Sequence, residues 1–290
     1  YNIDIYVLCD IINKKKLVIT NSKRSDDMKP DYKNWVPKYM VNSLIAGTIV
    51  IAVLFVIFGV IGVGLSGVPR WIIFAAFLLA LLIVGAFLKW SIMAYRDFSY
   101  NGTRQLSKQI VEGTANYIKL PDSGTGLDVG CGSGALTIAC AKKNPNAKMI
   151  GVDRWGKEYS DFSNMLCCKN AEAEGVKNIE FRKGDACKLD FKDESFDAVT
   201  SNYVYHNVTG VDKQKLLLET LRVLKKGGTF AIHDLMSQSR YGDMQKFKQK
   251  LIDMGYESVE LIDTTDGMFM PKREARCLRL GGSTLLVGKK

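Results

Sequence analysis

The sequence predicts an α/β protein with a mostly parallel sheet and helices on both faces, preceded by a two-helix transmembrane hairpin. Three observations predict it. Residues 41–69 and 71–88 are two long runs without a charge. From about residue 120 onward, short β-rich runs alternate with amphipathic helical stretches, the pattern of a parallel sheet covered on both sides. A glycine-rich turn follows the first of those runs, between a strand and a helix.

At a rise of about 1.5 Å per residue, the shorter uncharged run spans roughly 27 Å and the longer one more, enough for a hydrocarbon core of about 30 Å. Residues 66–70, Ser-Gly-Val-Pro-Arg, separate them and predict a tight turn, so both helices return to one side. Lys29, Lys33 and Lys38 precede the first run, Lys89 and Arg96 follow the second, and Arg70 alone sits at the turn. The positive-inside rule then puts both ends, and the large C-terminal part, in the cytosol. Trp35, Tyr39, Trp71, Trp90 and Tyr95 fall near the helix ends, where an interfacial aromatic belt belongs. A buried helical pair fits less well, because core helices this long carry a polar face.

The expected organisation is an N-terminal segment over 1–39, two transmembrane helices over 40–95, a juxtamembrane helix over 96–119 and the α/β domain over 120–290. Residues 1–27 begin with Tyr, carry the cluster Lys14, Lys15 and Lys16, and have no clear periodicity, whereas Met28 sits a dozen residues before the first span. The expectation is that 1–27 lie upstream of the working protein. Of the net charge of +10, half belongs to residues 1–100 (11 basic, 6 acidic) and half to the rest (29 basic, 24 acidic). The first share suits anionic head groups. The second is diffuse and has no interleaved aromatic stripe, so no nucleic-acid partner is expected. Seven cysteines without a C-x-x-C pair, and only two histidines, make no metal set and suit a reduced, cytosol-facing domain.

The elements follow in order. Residues 103–117 have helical spacing. Strands are expected over 126–129, 149–153, 179–183, 198–201 and 229–233, with helices over 135–143, 160–173, 213–223 and 245–254. Strands over 258–262 and 283–288 close the chain with no helical pattern between them, which suggests an antiparallel pair at one edge.

The chemistry concentrates at Asp128-Val129-Gly130-Cys131-Gly132-Ser133-Gly134. Glycines let a backbone turn sharply and approach a ligand without Cβ interference. The spacing alone is ambiguous, since Gly130, Gly132 and Ala135 with Asp153 also satisfy a dinucleotide fingerprint. Asp128 before the glycines and Asp185 after the third strand shift the balance. A carboxylate there answers a cationic ligand and repels a pyrophosphate. S-Adenosylmethionine (SAM) has an adenine, a ribose, a sulfonium amino acid and no phosphate, and the carboxylate-rich set fits it better.

These motifs, with Gly151-Val152-Asp153, Gly184-Asp185-Ala186, Phe196-Asp197-Ala198 and Leu224-Lys225-Lys226-Gly227-Gly228, resemble the class I SAM-dependent methyltransferases, of the kind grouped as domain types 11 and 25. The resemblance covers about residues 120–290. It implies a Rossmann-like seven-stranded sheet whose last strand is antiparallel, and SAM as cofactor. It also implies that the 128–134 turn (Asp128, Gly130, Cys131, Gly132, Ser133, Gly134) cradles the methionine moiety, Asp153 the ribose, and Asp185 and Ala186 after Gly184 the adenine. Ser201, Asn202 and Tyr203 would lie beside methionine and substrate. Arg154-Trp155-Gly156 departs from the usual small or polar helix start, so Arg154 borders the cofactor and Trp155 either stacks near the adenine or packs.

His206 follows the fourth strand and His233 closes the fifth, at the sheet edge where ligands sit in open α/β folds. A base with a pKa near 7 there takes a proton from a methyl acceptor, and His206 with Tyr203 are the candidates. For His233 a loop or helix-capping role is the stronger expectation. Methyl transfer also proceeds with alignment alone where the acceptor lone pair is already bare. Cys167 and Cys168 are expected on a helix away from the strand ends, as packing residues. Lys272, Arg273, Arg276 and Arg279 form a basic cluster before the last strand, by default a solvated face. The expected function is a membrane-anchored methyltransferase whose partners are the lipid bilayer and a small-molecule acceptor. An NAD-dependent oxidoreductase and a non-catalytic SAM-binding membrane module remain the alternatives.

Overall fold

The computed structural model describes residues 29–156 and 162–290; the reading of residues 1–27 lies outside them. The described chain divides into two compact units, one from Lys33 to Ile110 and one dominated by Val111–Lys290.

The first unit is helical. Helix α1 (Lys38–Leu54) runs on through a π-helical stretch at Phe55–Ile61, and α2 spans Gly67–Asp97. These make continuous helices of 24 and 31 residues, with mean hydropathies of 3.0 and 2.8 and almost no burial in their apolar windows. Ile49, Val53, Ile61, Trp71, Leu79 and Leu82 are all more than half exposed. The turn falls at residues 62–66, four residues before the predicted one. Gly62 adopts φ +76° and ends the first helix, as a left-handed residue does. Pro69 lies inside the first turn of α2, where the missing N–H costs nothing. It starts a helix where the sequence pattern suggested a bend. Arg70 donates from Nη2 to the Val60 carbonyl at 2.5 Å, satisfying one of the helix-end acceptors.

In the second unit seven strands form one sheet: β1 (Thr125–Val129), β2 (Lys148–Asp153), β3 (Ile179–Lys183), β4 (Phe196–Asn202), β5 (Leu224–Leu235), β6 (Ser258–Asp263) and β7 (Ser283–Lys289). Their order is β3-β2-β1-β4-β5-β7-β6. All pairings are parallel except those of β7, which runs antiparallel between β5 and β6. The chain thus winds outward from β1 in one direction, then crosses to β4 and winds the other way. The reversal opens a crevice between the carboxyl ends of β1 and β4, the place where such sheets bind ligands.

Helices α3 (Leu106–Ala115), α4 (Ala135–Lys143), α5 (Asn164–Ala173), α6 (Lys213–Arg222), α7 (Gln238–Tyr241), α8 (Met244–Asp253) and α9 (Lys272–Cys277) complete the chain. Leu216, Leu217 and Leu221 of α6 and Phe247 and Leu251 of α8 are buried against Val199, Phe230 and Leu286 of the sheet. Asp212 and Asp243 cap these two helices through their side chains, satisfying N–H groups that would otherwise lack acceptors. The near-continuous apolar runs of β1, β2 and β4 are buried on both faces. Two differences from the sequence reading have simple causes. Strand β5 begins at Leu224, five residues before the expected strand over 229–233, and the Lys225–Gly228 stretch within it is accommodated by a register shift opposite Phe196–Ala198 and by Gly227 at φ +75°. Helices α7 and α9 have four and six residues, too few turns to leave a periodicity.

Candidate active site

The site starts from the turn after β1. Gly130, Gly132 and Gly134 all have positive φ, which L side chains adopt only with strain. A Cβ on Gly130 would lie 2.4 Å from Val204, whereas one on Gly132 would meet nothing within 4 Å. The first glycine therefore admits the loop after β4, and the second leaves open space in front of the turn. Side chains hold the turn's carbonyls from behind. Trp155 Nε1 and Cys167 Sγ both donate to the Gly132 carbonyl, at 3.0 and 3.1 Å, and Asn170 Nδ2 donates to that of Ser133 at 2.9 Å. Trp155 thus packs onto the turn with φ +43°. Cys167 adjoins the site instead of lying away from the strand ends, because α5 folds back over the turn. Burial pushes the thiol of its neighbour Cys131 well up, so the Cys131 sulfur stays protonated and a poor nucleophile.

Two carboxylates frame the turn differently. Asp153 is satisfied: Oδ2 accepts from Gly132 N at 2.9 Å and Oδ1 from Trp155 N at 2.8 Å. Asp128 is 1% exposed; Oδ2 accepts from Thr137 Oγ1 at 2.6 Å, but Oδ1 has no hydrogen-bond partner. Burial pushes its carboxyl up to about 7, against the Thr137 hydrogen bond. A buried oxygen left this way is costly, and a cationic N–H donor would relieve it. Beyond β3, the Gly184 N–H donates to the Asp153 carbonyl, exposed Asp185 accepts from Cys187 N at 2.8 Å, and Ala186 packs on the core. Arg154 is exposed beside Asp153.

Across the crevice, the loop after β4 carries Tyr203 at φ +54° and a turn of 3₁₀ helix at Tyr205–Asn207. His206 Nδ1 lies 2.6 Å from Asp234 Oδ1, and Asp234 is fully buried at the end of β5. His233, one residue earlier on the opposite face of the strand, is also fully buried. Its Nδ1 meets Asn202 Oδ1 at 2.8 Å, and its Nε2 meets Thr264 Oγ1 and Ser283 Oγ at 3.0 and 2.9 Å. Burial pushes His233 down to about 3, so it stays neutral and ties β4, β5, β7 and the residue after β6 together. Tyr203 joins this network, with its hydroxyl 2.6 Å from Ser283 Oγ and its ring 4.6 Å from that of His233. Burial holds the Tyr203 hydroxyl above its usual range, leaving it a poor acid.

Sequence reasoning missed Asp234, Asn170 and Thr137. Asp234 had a signal: strand alternation puts neighbours on opposite faces, so His233-Asp234 presents one group to each side. The other two hold the turn through tertiary contacts that no spacing announces.

Residues 121–267 match the model of a family described as a methyltransferase domain, and the chain belongs to that family. Membership of a methyltransferase family favours SAM over a dinucleotide, the two cofactors that the glycine spacing admits. Among curated relatives, a demethylmenaquinone methyltransferase of Lactobacillus johnsonii is 37% identical over 108 residues, covering 37% of this chain and 41% of that protein. An arsenite methyltransferase of Halobacterium salinarum is 30% identical over 156 residues, covering 47% and 38%. The chain thus spans about two fifths of the length of these relatives. Among solved structures, the [4+2]-cyclase SpnF superposes with a TM-score of 0.50 at 18% identity, covering 64% of this chain and 82% of that one, a likeness of fold.

Proposed function

We propose that this protein is a membrane-anchored methyltransferase, with its catalytic unit on the cytosolic side, acting on a small acceptor that is apolar or membrane-associated. One observation carries the catalytic part. Adjacent strands β1 and β4 lead to an unpaired carboxylate oxygen on Asp128 and to the carboxylate-backed imidazole of His206. The first suits the ammonium of SAM and the second an acceptor's proton. SAM when bound supplies an activated methyl on a sulfonium.

In this reading Asp128 receives the ammonium, and the open face of the turn at Gly132, flanked by Gly130, Cys131, Ser133 and Gly134, takes the methionine moiety. Asp153 uses its remaining lone pairs for the ribose, with Arg154 beside it, and Asp185 and Ala186 receive the adenine. Asn202, fixed by His233, borders the methionine end. His206 takes the acceptor's proton, and Tyr203, anchored on Ser283, positions the loop that carries it. Burial of the Tyr203 hydroxyl supports that positioning role over one in proton transfer.

The two exposed apolar helices support the anchor, and the basic residues at their outer ends support the cytosolic orientation. The acceptors named in the relatives, demethylmenaquinone and arsenite, support a small molecule, and the hairpin favours an apolar one. Calorimetric titration of the full chain in lipid nanodiscs tests the cofactor reading, with binding of SAM and none of NADH expected. Exposed Cys187 and Cys277 test the orientation. A membrane-impermeant maleimide should label them in inside-out vesicles and not in intact cells; the reverse pattern would overturn it.

A further inference from the structure

Asp234 narrows the acceptor, on the reading that His206 is the base. Its carboxylate is fully buried and fully used. Oδ1 lies 2.6 Å from both His206 Nδ1 and Leu235 N, while Oδ2 accepts from Tyr205 N at 2.7 Å and His206 N at 3.3 Å. Burial pushes this carboxyl up, but His206 and the backbone N–H groups outweigh it, and the net effect is below the usual range. Asp234 therefore stays ionised and can only accept, so the ring nitrogen facing it carries the proton. In the neutral imidazole the other nitrogen is then a bare lone pair. Nε2 has no hydrogen bond among the described residues, and the His206 side chain keeps 18% of its surface exposed. Val204 of the same loop contacts the space above Gly130, so the loop sits against the cofactor turn.

We infer that Asp234 is a positioning residue that locks His206 in the Nδ1–H tautomer, and that the methyl acceptor is a hydroxyl of phenolic or enolic kind whose proton must leave during transfer. A lone pair that is already bare needs only alignment, and a buried carboxylate behind an imidazole adds nothing for it. With a hydroxyl, Nε2 takes the proton as the O–H bond breaks. The electron pair of the resulting oxyanion, on oxygen or on the conjugated carbon beside it, bonds the methyl carbon. In the carbon case that carbon's proton leaves to solvent, which restores the oxyanion, and the imidazolium returns its proton to that oxygen. The sulfur–methyl bond breaks with its pair on sulfur, leaving a neutral thioether, and the imidazolium stands against the Asp234 carboxylate. No further co-reactant is needed.

The chain has only two histidines, which makes the tautomer directly readable. Full-length protein labelled with [15N]histidine, in lipid nanodiscs with S-adenosylhomocysteine, should show His206 as Nδ1–H in long-range 1H–15N spectra at pH 8. In Asp234→Asn the amide oxygen stays with the Tyr205 and His206 N–H groups, the NH₂ takes the place of Oδ1 beside Nδ1 at the loss of the Leu235 N–H bond, and His206 should switch to Nε2–H. SAM affinity should stay within about twofold while turnover falls by roughly 10²–10⁴. An Nε2–H tautomer in the parent protein overturns the proposal without any variant, as does an unchanged tautomer in Asp234→Asn. Methyl-labelled SAM supplied to membrane extracts should place label on oxygen or on the carbon beside it; label on sulfur or nitrogen overturns the acceptor class. Failure of the underlying reading shows separately, as absence of SAM binding.

Discussion

The two halves of the sheet's carboxyl edge are built on opposite principles. At the ends of β1 and β2, Asp128 keeps an unpaired oxygen and Gly132 faces open space. At the ends of β4, β5 and β7, the polar atoms answer one another, with His233, Asn202, Thr264, Ser283 and Tyr203 in one buried network. The difference separates an edge with hydrogen-bonding capacity to spare from a frame made to hold its shape. His206 Nε2 stands out from the closed half. Residue type does not decide these roles, since two histidines near adjacent strand ends have opposite environments.

The contrast can be broken at its extremes. His206→Ala should lower turnover by roughly 10²–10⁴ with SAM affinity unchanged, as measured by S-adenosylhomocysteine release and calorimetry. An unchanged turnover would move the base elsewhere. His233→Leu should do the reverse. It strands Asn202, Thr264 and Ser283 and should cost about 2–3 kcal/mol in unfolding experiments, while turnover of the folded protein should fall far less than in His206→Ala.

Asp128→Asn should weaken SAM by about 10–100-fold, the worth of a charge-assisted hydrogen bond. The ligand-free protein should be as stable as the parent or slightly more so, because a buried carboxyl raised to about 7 is already strained when ionised. A matched loss of stability would assign Asp128 to the frame.

The smallest effects are in pH, and the two halves carry opposite signs. His233 titrates near 3 when folded and about 6.5 when unfolded, so its contribution is complete above pH 6.5 and is lost as pH falls towards 3. Its slope reaches at most about 1.4 kcal/mol per unit and should vanish in His233→Leu. Asp128 is raised, so its contribution to the ligand-free protein is present below about pH 4 and is lost as pH rises through 7. SAM pairs with the ionised form. Its affinity should therefore fall by up to about tenfold per unit below pH 7, measurable as proton release on binding.

Much of this arrangement is readable before folding is considered. The glycine turn and the strand–helix alternation are local patterns, and the observed sheet follows them to within a few residues. The apolar spans are local too, although Pro69 was misread because a proline suits a bend and a first helical turn equally. What stayed hidden is tertiary. Asp234 reaches His206 across 28 residues of chain and Asn170 reaches Ser133 across 37. The place of Cys167 depends on how α5 closes over the turn. Periodicity reports which face is buried and is silent on which polar atom meets which.

Trp155, which donates its indole N–H to the Gly132 carbonyl, has one more consequence. The chain has four tryptophans, and Trp35, Trp71 and Trp90 all belong to the helical unit. The unit that holds the sheet thus contains a single indole, fastened to the residue whose open side would take the methionine moiety in the proposed reading. With the other three replaced by phenylalanine, its emission becomes an optical gauge of whether the turn is filled, readable in an intact membrane without a labelled ligand.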